Sequence, residues 1–91
     1  MNRYLIERDM PGVAGMSDAE FCQAARKSNE VLAEMAARAQ WVNSFVTDDC
    51  IVCVYLAEDE EAVREHARLS GFPADRVMPV RRMIDPTTAN I

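Results

Sequence analysis

Between Gln40 and Ala57 the chain reads QWVNSFVT, then Asp48-Asp49, then CIVCVYLA. Two segments rich in β-branched and aromatic residues, separated by a short polar turn signal, predict a β-hairpin. The hairpin constrains the fold because it needs an apolar cover on at least one face, so its flanks decide what the chain builds.

Both flanks predict helices. Upstream, Ser17 followed three residues later by Glu20 is a capping box, and Met16 and Phe21 stand where a hydrophobic staple closes the first turn. From there Phe21, Ala25, Ser28, Leu32, Met35 and Ala39 recur at spacings of three and four and form one stripe. Downstream, Glu58, Asp59, Glu60 and Glu61 supply negative charge where a second helix exposes its free amides. Gly71, Phe72 and Pro73 supply its stop. The acids are therefore explained by a helix start without any cation.

RYLIERD at the front, Arg3 to Asp9, alternates in part and is halted by Pro11-Gly12, which predicts a first strand. RVMPVRRMI, Arg76 to Ile84, predicts the last, and Pro79 places it at an edge because proline lacks the amide a central strand must donate. The order is βαββαβ. With right-handed crossovers it gives an α+β, ferredoxin-like domain: a four-stranded antiparallel sheet of order 4-1-3-2 with both helices on one face.

The register of the hairpin decides what the open face carries. An odd loop places Trp41, Asn43 and Phe45 with Ile51, Cys53 and Tyr55; an even loop pairs them with Val52, Val54 and Leu56. The odd register is expected, because it leaves an aliphatic set (Val42, Val46, Val52, Val54 and Leu56) for the helices. Trp41, Phe45 and Tyr55 then form an exposed apolar patch that a second subunit would cover, so a homodimer is expected.

A chain of 91 residues, 49% of them hydrophobic, suits a single domain over residues 1–91. No apolar run approaches the roughly 20 residues of a membrane span, and MNRYLIERDM lacks the apolar core of a signal peptide, so a cytoplasmic protein without membrane association is expected. Net charge is −5, with arginines scattered among acids, which disfavours nucleic acid as a partner. Three cysteines read as reduced thiols.

Four residues stand out chemically. Cys50 and Cys53 have C-x-x-C spacing, but on a strand residues three apart point to opposite faces at roughly 10 Å, too far for a disulfide. They read as buried structural thiols, or Cys53 alone as a ligand or reactive group. His66, the only histidine, falls near the border of the second helix's buried face. It reads as a hydrogen-bonded border residue or as a ligand needing further donors. Glu7 is an acid in a central strand and needs a partner such as Arg81 or Arg82, or a role as ligand or general base. The methionines read as core filler.

The segments RYLIERDMPG, WVNSFVTDD, CVYLAEDEEAVREHA, GFPADRV and IDPTT, taken in order, resemble a family of small bacterial proteins of unknown function labelled nickel-binding protein. The resemblance implies a ferredoxin-like dimer and nickel as ligand. The positions that match its recurring motifs are Glu7, Cys53, Tyr55, Glu65 and His66, from which Glu7, Cys53 and His66 are the metal candidates. There is one departure: where such proteins often read W-V-H-S-Y, this chain has Trp41-Val42-Asn43-Ser44-Phe45. An amide is a poorer nickel ligand than an imidazole. Asn43, with Tyr55, would instead suit hydrogen bonding to an organic ligand. A small enzyme with Asn43, Tyr55, Glu7 and His66 converging on a pocket, and a ligand-sensing or assembly domain, are the competing expectations.

Overall fold

The computed structural model covers Met1–Ile91 and has the expected element order. Strand β1 (Asn2–Asp9) leads to helix α1 (Asp18–Glu34), strands β2 (Ala39–Val46) and β3 (Cys50–Ala57), helix α2 (Glu60–Ser70) and strand β4 (Arg76–Pro79). Short 3-10 turns occupy Val13–Gly15 and Pro86–Asn90. The sheet runs β2-β3-β1-β4, all antiparallel, so β1 and β3 are central and Pro79 lies on an edge strand. β4 ends at Pro79, well short of Ile84, although Val80 N–H still donates to the Arg3 carbonyl.

The helix starts form as the local chemistry demands. Ser17 caps α1 by accepting from Glu20 N–H at 3.2 Å, and Glu20 returns the contact to Ser17 N–H at 3.1 Å. Asp59 caps α2 through Ala62 N–H at 2.8 Å, and Gly71 ends it at φ 79°. Glu58 joins neither cap; it pairs with Arg38, as does Glu65.

The hairpin departs from expectation in register and in facing. A β-bulge between Trp41 and Asn43 makes Val42 an extra residue. Trp41 therefore faces Tyr55 as the odd register requires, while beyond the bulge Asn43 and Phe45 pair with Val54 and Val52 as the even one requires. The side facing the helices is also the opposite of the expected one. Cys53, Tyr55 and Ala57 join Tyr4, Ile6 and Ala39 in a buried cluster with Val31, Met35, Ala62 and Val63 of the helical layer. Leu5, Val52, Val54 and Leu56 lie on the other face and are only half-buried.

Candidate functional site

Alternation along β1 places Tyr4, Ile6 and Arg8 on the helix side and Leu5 and Glu7 on the open side. Arg8 thus enters the interior as the continuation of an apolar row. Above it α1 presents Ala24, Ala25 and Ser28, and the bulge turns Ser44 inward from β2. These small side chains leave space between layers. The result is a cavity of about 270 Å³, partly open to solvent and lined on its sides by Phe21, Trp41 and Ile51.

The Arg8 guanidinium borders this cavity and is 3% exposed. Its Nη1 donates to the Pro73 carbonyl at 2.6 Å, its Nε reaches Cys53 Sγ at 3.4 Å, and its carbon lies 5.9 Å from the centre of the Phe72 ring. No carboxylate forms an ion pair with it; the four ion pairs of the molecule use Arg38, Arg64 and Arg68. A buried cation held by a carbonyl, a thiol, a ring face and the Tyr55 hydroxyl, with no carboxylate beside it, is under-compensated, because withdrawing a charge from water costs several kcal/mol.

Beside it runs a line of neutral polar groups. Ser28 Oγ lies 3.3 Å from Tyr55 Oη and 3.1 Å from His66 Nε2, and the Tyr55 and His66 rings are 5.2 Å apart. Burial pushes His66 down to a pKa of about 4, and the positive charge of Arg8 pushes it the same way against the bond to Ser28. Burial pushes Tyr55 up, with the Ser28 bond opposing. At neutral pH both rings are uncharged, so the trio can orient a ligand or share a proton along hydrogen bonds but holds no carboxylate base.

The sequence-derived candidates divide between the faces. Tyr55, Cys53 and His66 lie on the helix side. Glu7, paired with Val52 and Arg76, and Asn43, paired with Val54, lie on the open side. His66 is not a border residue: it is 0% exposed, with Nδ1 unpartnered. Glu7 stands opposite Arg76 in the register, and it forms no ion pair with Arg76, Arg81 or Arg82. Glu65 is engaged by Arg38 on α2's flank. The pocket that would have gathered Asn43, Tyr55, Glu7 and His66 does not form. No three His, Cys, Asp or Glu side chains come close enough to hold a metal, so the donors of one chain do not fit nickel. Arg8 and Ser28 are the residues missed as site groups. The alternation Tyr4, Ile6, Arg8 was the signal that could have found Arg8, and Ser28 stood as the one hydroxyl inside an apolar stripe.

The family model described as nickel responsive protein SCO4226-like matches residues 4–80. No curated protein matches the chain. Among solved structures, the crystal structure of SCO4226 from Streptomyces coelicolor A3(2) superposes with a TM-score of 0.76 at 16% identity, over 90% of this chain and 99% of that one. At that identity the likeness shows the fold.

Proposed function

Because the chain belongs to the nickel responsive protein SCO4226-like family, we propose that it is a cytoplasmic nickel-binding protein that acts as a homodimer, with the metal donors completed across the subunit interface. One observation supports this reading above others: the centre of the open sheet face is apolar and no helix covers it. Leu5, Val52, Val54 and Leu56 run across its centre, and Phe45 is 58% exposed beside them. Contiguous apolar surface of this kind is the mark of an interface, and a second copy is the economical cover.

Glu7 and Asn43 stand on that same face. A divalent transition metal gathers several donors, and a two-fold partner doubles those that one chain offers. The carboxylate of Glu7 is the stronger of the two ligand types. The test is calorimetric titration of tag-free protein with nickel, beside Glu7→Gln. Saturable binding tighter than about millimolar, weakened about tenfold or more in the variant, supports the reading. Absence of saturable binding in the native dimer removes nickel as its ligand.

A further inference from the structure

The cavity under α1 is not used by the nickel reading, which concerns the opposite face of the sheet. From its contents we propose a second site: a pocket for a small monocarboxylic acid with an apolar body, its carboxylate held by Arg8 and its body by Phe21, Trp41 and Ile51.

Charge complementarity carries the assignment. A guanidinium offers five N–H donors, and the two hydrogen bonds found for Arg8 run from Nε and Nη1 to neutral acceptors. Beyond these, the guanidinium makes only a weak approach to the Tyr55 hydroxyl, and none of its nitrogens is among the fully buried side-chain atoms without partners, Arg3 Nε and His66 Nδ1. A planar cation with free donors, bordering a cavity and lacking a carboxylate of its own, matches a carboxylate from outside. Ser28 and Tyr55 add hydroxyls to the same wall. The remaining wall is largely apolar, with 11 of 14 lining residues hydrophobic, so a bare inorganic anion would leave most of it wet.

Size narrows the ligand class. At about 30 Å³ per water, a volume of about 270 Å³ is roughly nine waters, which suits a ligand of about ten non-hydrogen atoms. Octanoate and phenylacetate are of that size, and the tail of a long-chain fatty acid would project beyond the lining.

Trp41 lines the cavity and is the only tryptophan, so its fluorescence reports occupancy. The experiment titrates the full chain, in the presence of a chelator, with octanoate, octan-1-ol and octylamine. Saturable octanoate binding is expected, about tenfold or more tighter than octanol, with octylamine weaker still. Arg8→Met should remove the preference for octanoate while octanol binds as before, and Ala25→Phe, which fills the cavity, should abolish both. The proposal is overturned by equal binding of the three probes, by no saturable response to octanoate, or by a folded Arg8→Met protein that keeps the preference. If Arg8→Met does not fold, the probe series on the native chain and Ala25→Phe decide alone. The chelator separates the two sites: octanoate binding that requires nickel contradicts this pocket, whereas loss of nickel binding leaves it standing.

Discussion

His66 shows how much one side chain can hold at the residue scale. Its ring is fully buried, with Ser28 as its one hydrogen-bonding partner, and burial first, then the charge of Arg8, lower its pKa to about 4. The folded protein therefore resists protonating it, while the unfolded chain takes up a proton near the ordinary histidine value of 6.5. Between those two values the unfolded state binds more protons, so stability is greatest above pH 6.5 and falls as pH drops toward 4, by about 3 kcal/mol in all from this group. Urea midpoints at pH 7 and pH 4.5 will show the slope, and His66→Gln should flatten it relative to the native chain. His66→Ala leaves a void in a closed layer and should cost about 2–4 kcal/mol at pH 7, read from the same unfolding curves. Such a loss makes the ring structural, and the low pKa explains why no charge need be neutralised there. Sequence placed this residue at a border because its neighbours on the stripe, Ala62 and Ser70, carry little hydrophobic signal. Both are buried, and with Val63 they put His66 at the centre of the face.

At the scale of elements, the starts of both helices were legible and the end of α1 was not. Ser17, Glu20, Asp59 and Gly71 act through contacts within a few residues, so their roles survive any tertiary arrangement. α1 has no glycine at its end. The chain instead forces Ala36 and Ala37 into the left-handed region at φ 54° and 62°, and Arg38 anchors the turn through Glu58 and Glu65. An alanine there carries strain of about 1–2 kcal/mol, part of which glycine's extra unfolded freedom would offset. Ala37→Gly should therefore raise stability by about 0.5–1 kcal/mol, a melting shift of a few degrees, whereas Ala33→Gly inside the helix should lower it by about 1 kcal/mol. Calorimetry of the two variants distinguishes them by sign. The register of the hairpin was missed for the same reason in another form. The bulge at Val42 is fixed by how Trp41 and Ser44 pack between layers, Trp41 Nε1 donating to Ser44 Oγ at 2.9 Å, and no glycine or proline marks it. With the bulge unseen, one register had to be chosen for a strand that uses both, and Asn43 could not be placed relative to Tyr55.

For the whole molecule, a one-sided core sets the terms. Only 15 of 91 residues are buried, and the molecule measures 43 by 31 by 20 Å, a slab whose helices protect a single face. A stable interface buries roughly 800 Å² per partner, which would take up the sheet's other face. Val54 lies near the middle of that face, between Leu5 of β1 and Asn43 of β2. It is half-buried in one chain, so a charge there remains solvated in the monomer and would be sealed without a partner in the dimer. Val54→Glu should accordingly give a folded monomer at micromolar concentration by light scattering, with a circular dichroism spectrum like that of the native chain. The same variant separates the two proposed sites. If nickel donors are completed across the interface, the monomer loses nickel binding along with its partner, while octanoate still quenches Trp41, because the cavity lies wholly on the helix side of the sheet. A monomer that retains native nickel affinity would place the metal within one chain and contradict the interface reading. A native-like dimer after the substitution would show instead that the open face meets something other than a second copy.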